Sequence, residues 1–219
     1  MKKTLYAVIL LVTVWADGGA HDYWISAGVY NPLPGTEVSV DICGGHYFPK
    51  SSFAVSEKLV NRLEVTAPDG GGRMLLTAES EDGKKRSGSC VFESTGTYLV
   101  QCRLKKPGAS EISAWLKAIV ISGEDVPGQY YSGSGLEIVP GEMISKLGKK
   151  DILPVNVYLD GRKIRSAVTV YPEKGRKRRY NTATNIPAKV KIRKPGRYLL
   201  TASYKGASCS LTFEVIEIE

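Results

Sequence analysis

Histidine is almost missing from this chain: among 219 residues there are two, His21 and His46. Two histidines cannot build a three-histidine zinc site. Methionine is nearly as scarce. Only Met74 and Met143 follow the initiator, which excludes a methionine-rich Cu(I) site. No apolar stretch reaches the ~20 residues that a membrane-spanning helix needs. There is no Gly-x-Ser-x-Gly elbow, no phosphate-cradling loop before a helix, no His-Glu-x-x-His and no Cys-x-x-Cys. Gly70-Gly71-Gly72 and Asp82-Gly83-Lys84 fit hairpin turns better than anion cradles, and the scattered carboxylates form no acid/base couple. These absences predict a binding protein, not an enzyme.

What is present begins with a secretory leader. Lys2 and Lys3 form a basic region, Leu5 to Ala16 an apolar core, and Gly18-Gly19-Ala20 a small-residue cleavage site. Residues 1–20 are thus expected to be removed, although a cut after Ala16 also satisfies the small-residue preference more weakly. Cleavage after Ala20 would make His21 the first residue of a periplasmic or otherwise exported chain. A terminal histidine chelates a cation through its α-amine and imidazole Nδ1 together, groups that titrate near ~8 and ~6.5. The bland alternative is that His21 falls there by chance and His46 is an ordinary loop residue.

Beyond residue 20 the chain carries 28 Lys and Arg against 21 Asp and Glu. In an exported protein that balance suits anionic envelope lipid, or plain solubility, better than nucleic acid. The densest run, Lys174-Gly175-Arg176-Lys177-Arg178-Arg179, reads as a solvated hairpin tip. It lacks the interleaved aromatics of a base-stacking surface. Four cysteines in an exported chain are permitted to pair, in three possible ways. Cys90 and Cys102 flank the turn Ser94-Thr95-Gly96, and a hairpin register there would place them opposite each other as a disulfide. Cys43, three residues before His46, is either an additional soft ligand or a buried small apolar residue.

Helical periodicity is nearly absent, and alternation of period two recurs: Val38, Val40 and Ile42; Leu63 and Val65; Val168 and Val170; Val190 and Ile192. Turn signals such as Pro34-Gly35, Pro68-Asp69-Gly70, Asp160-Gly161 and Pro195-Gly196 punctuate these runs. The pattern predicts an all-β chain of two tandem antiparallel β-sandwiches, immunoglobulin-like or prealbumin-like. The first is expected over residues 21–122 and the second over 136–219. A Gly-, Ser- and Pro-containing linker is expected over 123–135. A weak repeat supports the split: Phe92, Gly96 and Tyr98 match Ile192, Gly196 and Tyr198 in spacing. Each tyrosine is expected to form a tyrosine corner and to be structural.

The segments Ala20-His21-Asp22-Tyr23-Trp24-Ile25, Gly45-His46-Tyr47-Phe48, Leu136-Glu137-Ile138-Val139-Pro140, Leu159-Asp160-Gly161-Arg162 and Lys194-Pro195-Gly196-Arg197-Tyr198-Leu199-Leu200 occur in that order. Together they resemble an exported family known as a domain of unknown function and linked to nickel uptake. Its members accompany energy-coupling-factor nickel and cobalt transporters as periplasmic accessory components. The resemblance covers essentially the whole chain after the leader. It implies a metal-binding protein that takes Ni²⁺ or Co²⁺ for uptake, with Cu²⁺ also possible, and membrane transporter components as partners. It carries over to His21 and His46. Many relatives have further histidines that this chain lacks, and its cysteines are not a family feature.

An independent geometric reading brings the same residues together. The end of one antiparallel strand lies beside the start of its neighbour, so His46, just past the strand from Glu37 to Cys43, would reach the amine ahead of Asp22. Three nitrogens from two residues suit a tetragonal site, with Asp22, Cys43 or water completing the shell. Three other classes remain open: a copper-dependent oxidative enzyme with an N-terminal histidine, a copper carrier, and a metal-free structural or adhesive sandwich pair.

Overall fold

The structure is a computed structural model and describes residues 22–126 and 129–217. In chain order the first half holds β1 (Asp22–Ala27), β2 (Thr36–Gly45), β3 (Phe53–Ala54), β4 (Val60–Thr66), β5 (Gly72–Met74), β6 (Ala78–Glu79), β7 (Lys85–Phe92), β8 (Gly96–Lys105) and β9 (Ile112–Ser122). The second half holds β10 (Leu136–Pro140), β11 (Ile152–Leu159), β12 (Arg162–Ile164), β13 (Ala167–Pro172), β14 (Arg178–Asn181), β15 (Ala188–Lys191), β16 (Gly196–Tyr204) and β17 (Ala207–Val215). The only helical pieces among the described residues are 3-10 turns at Glu57–Leu59 and Ile144–Lys146. No helix there is long and apolar enough to cross a membrane.

The chain is all-β, and its strands build two β-sandwiches. In the first, a sheet ordered β1-β2-β7-β6, with β3 on β2, faces β9-β8-β4-β5. Val38, Val40 and Ile42 of β2 meet Val100, Cys102, Leu116 and Ala118 in its core. In the second, β10-β11-β12 with β15 faces β14-β13-β16-β17. Ile138, Val155 and Val190 meet Leu200, Leu211 and Phe213 there.

The two tandem sandwiches expected from the sequence are present, and the structure adds that they share a sheet. β17 pairs with β9 in parallel, Ser208 opposite Ala114 through Thr212 opposite Ala118. The eight strands β14-β13-β16-β17-β9-β8-β4-β5 therefore form one sheet shared by both halves. The cause lies in β9. Its residues Leu116 to Ser122 are all buried, with Leu116, Ala118 and Val120 entering the first core and Ile119 and Ile121 the second. A strand covered on both faces is what parallel pairing requires.

Residues 123–135 are likewise more than a loose linker. Asp125 is 4% exposed and accepts hydrogen bonds from Thr97 Oγ1, Tyr130 Oη and Ser145 N. Tyr130 joins the second core. Gly135 has φ +68 and presses its backbone against Trp115, where a Cβ would collide with the indole ring. Each half also has its tyrosine corner. Tyr98 Oη donates to Ser94 O and accepts from Ser94 N, and Tyr198 Oη donates to Lys194 O.

Candidate functional site

β1 and β2 run antiparallel with Asp22 opposite Gly45, Tyr23 opposite Gly44 and Trp24 opposite Cys43. Alternation sends Ile25 and Ala27 into the first core and turns Trp24 the other way, toward the second half. Trp24 is fully buried there with Cys43 and Leu199, and Phe48 and Tyr171 pack against that cluster. The Phe48 ring stands edge-on to Trp24 at 5.8 Å. This cluster seats the start of β1 and the end of β2 on β13 and β16.

Asp22 shares the face of Trp24 and is hydrogen-bonded by Tyr171, whose hydroxyl also engages Thr201. Burial holds the Asp22 carboxyl above its ordinary value, while the Tyr171 hydrogen bond, Lys177 and His46 pull it partway back. The Tyr171 phenol is pushed up to about 12, by burial first and then by the negative charge of Asp22. Lys177 lies over the Tyr171 ring at 5.7 Å from its centroid. His46 is exposed in the turn after β2, close enough to Asp22 for their charges to interact.

The His46 turn is held from beneath. Ser52 N donates to Gly44 O, Lys50 N donates to Tyr47 O, and Ser51 Oγ accepts from Gly44 N. Gly44 is required by close approach, since a Cβ there would lie 2.5 Å from the Phe53 ring. Beside Asp22 opens a groove of about 760 Å³ between the halves, walled by Tyr23 and Leu104 on one side and Thr169, Arg179 and Thr201 on the other.

Asp22 and His46 are thus brought together, and His21 lies outside the described residues. Among the described residues, no group of three or more His, Cys, Asp and Glu side chains is placed to hold a metal ion. Cys43 is a packing residue. It is 3% exposed, and burial, with Asp41 nearby, pushes its thiol up to about 12. Tyr171 and Lys177 were missed in the sequence, which has no local signal tying them to β1.

The expected Cys90–Cys102 disulfide is absent: all four cysteines are free and buried. Cys90 sits on β7 and Cys102 on β8, which belong to different sheets. Ser94-Thr95-Gly96 is a corner carrying the chain from one sheet to the other, so the two strands it joins never pair. Arg73 Nη2 donates to Cys90 Sγ, and burial pushes the Cys102 and Cys209 thiols up to about 12.

Comparison with known proteins bears on the whole of this arrangement. The profile of a family described as "Domain of unknown function (DUF4198)" matches residues 19–206. The chain belongs to the DUF4198 family. No curated protein sequence matches this DUF4198 chain. Among solved structures, the D0-D1 domain of intimin is similar at 14% identity and a TM-score of 0.28, covering 86% of this chain and 96% of that one. A two-domain fibronectin type III segment of chicken tenascin gives 13% and 0.29, covering 90% and 100%. A DUF4785 family protein from Legionella pneumophila gives 12% and 0.32, covering 89% and 47%. Scores this low carry no argument about what the DUF4198 chain does.

Proposed function

We propose that this DUF4198 protein is an exported metal-binding protein that takes Ni²⁺ or Co²⁺ for a membrane uptake transporter, with Cu²⁺ as a further cation its donors accept. One observation carries the reading. The β1–β2 register ends with Asp22 opposite Gly45, and in the sequence the residue before Asp22 is His21 and the residue after Gly45 is His46. Cleavage after Ala20 supplies the α-amine of His21. Amine, two imidazoles and the Asp22 carboxylate make a three-nitrogen, one-oxygen set suited to Ni²⁺, Co²⁺ or Cu²⁺. The Tyr171 hydrogen bond orients that carboxylate in the way outer-shell partners orient metal ligands. Nickel and cobalt, and the transporter, come from the family resemblance.

Calorimetric titration of the chain beginning at His21 with NiCl₂, CoCl₂ and CuCl₂ tests this. One ion per chain is expected. Retention of Ala20, or His46→Ala, should weaken binding by at least about tenfold, the lower end of the range for losing even an outer-shell partner of a metal ligand. Arg176→Ala should change nothing. Equal affinity with Ala20 retained would sink the terminal-amine site. Oxygen consumption by the copper-loaded form would move the reading to an oxidative enzyme.

A further inference from the structure

The charge of the chain is divided unevenly. Residues 22–126 carry 11 Lys and Arg against 13 Asp and Glu, whereas residues 129–217 carry 17 against 7. The basic excess belongs to the second half, and asymmetry of this kind points to a polyanionic partner. The fold concentrates it further at the open edge of the second sandwich.

Strand pairing sorts the basic run by face. Thr169 lies opposite Arg179 and Val170 opposite Arg178. Arg179 therefore faces the groove beside Asp22, while Arg178 turns to the other side. There a cleft of about 120 Å³ opens between the two sheets, with Lys174, Arg176 and Arg178 on one wall and Lys191, Arg193 and Lys194 on the other. Among the described residues none of these six cations has a carboxylate within ion-pair distance. Six like charges gathered without counter-charge are unfavourable in the isolated molecule, and an anion relieves that cost.

We infer that this cleft docks the protein on an anionic membrane by taking the phosphate headgroups of its lipids. The volume is well under the ~300 Å³ at which pockets for whole organic ligands begin, so it suits a headgroup. Of the two rings that line the cleft, Tyr198 is buried and committed to its corner, which leaves only the half-buried Tyr180 accessible, and one accessible ring is no stacking platform for nucleic-acid bases. Ile152, 52% exposed, stands opposite Lys191 in the β11–β15 ladder. An exposed aliphatic side chain among lysines matches the boundary between headgroups and acyl chains.

Co-sedimentation of the full mature chain with phosphatidylcholine vesicles, with and without phosphatidylglycerol, tests the inference. Binding only to the phosphatidylglycerol vesicles is expected, and it should fall at high salt. The triple variant Lys174→Glu, Arg176→Glu, Arg178→Glu should lose at least about a hundredfold, since each basic residue at an anionic surface contributes roughly fivefold. Lys191→Glu with Lys194→Glu, both exposed positions on the opposite wall, should also lose binding and guards against misfolding of the first variant. Lys58→Glu, Lys84→Glu, Lys106→Glu changes net charge equally but lies in the first half and should retain most binding. Equal loss in that control would overturn the site, as would vesicle binding by both cleft variants. Saturation of the cleft by inorganic phosphate without any vesicle binding would overturn the membrane and leave a free-anion site.

Discussion

Lys117 is 3% exposed on β9, and burial lowers its pKa from the ordinary lysine value. It donates to Glu137 Oε2 at 2.8 Å and to Tyr130 O at 2.6 Å. Glu137 in turn accepts from Ser132 N, Ser132 Oγ and Gly133 N. The pair thereby fastens the connecting segment to the shared sheet. A buried pair gains little over apolar side chains of the same size, yet removing one partner strands the other charge. Glu137→Gln is therefore expected to cost about 3 kcal/mol, and Lys117→Met with Glu137→Leu to recover most of it. Urea unfolding of the two variants checks this, and a single variant as stable as the parent would make the pair dispensable. Glu137 was noticed in the sequence only within a family segment, and Lys117 not at all, because a charge inside an apolar run has no partner visible nearby.

At the scale of elements, period-two alternation located the strands but not their neighbours. The same turn length that closes a hairpin also closes a corner between sheets, which is why β7 and β8 were expected to pair and instead face each other across the first core. The repeated Gly-x-Tyr was the better signal, since a tyrosine corner specifies where a hydroxyl returns. Tyr98→Phe and Tyr198→Phe are each expected to cost about 1–2 kcal/mol, the scale of a hydrogen bond whose buried partners are left unmatched. Thermal unfolding measures this. No loss in either variant would reduce the corner to ring packing. For the site, the β1–β2 neighbourhood of Asp22 and His46 was legible, because antiparallel strands bring a start beside an end. Tyr171 and Lys177 were not, because they arrive by packing of one half on the other.

For the whole molecule, the question is whether the halves behave as one. The near-continuous apolar run Ala114–Ile121 went unread in the sequence, although its strand is buried on both faces, and which strand lies against it depends on the entire second half. The resulting β9–β17 ladder spans Ser208 to Thr212, and Thr212 Oγ1 reaches across to Ile25 O at 2.6 Å. Trp24 and Leu199, both at 0% exposure, come from opposite halves, and burial of each side chain is worth roughly 1.5–3 kcal/mol. Separating the halves would expose these side chains together with the edges of β9 and β17, a cost comparable to the 5–15 kcal/mol stability of a whole domain. One cooperative transition is therefore expected. Trp24 and Trp115 sit in the first half and both pack against residues of the second, so tryptophan fluorescence reads the junction while far-UV circular dichroism reads all strands, and the two urea curves should superimpose. A fluorescence change that precedes the loss of strand signal would mean that the halves part before they melt, and the shared sheet would then be a contact between two independently stable sandwiches.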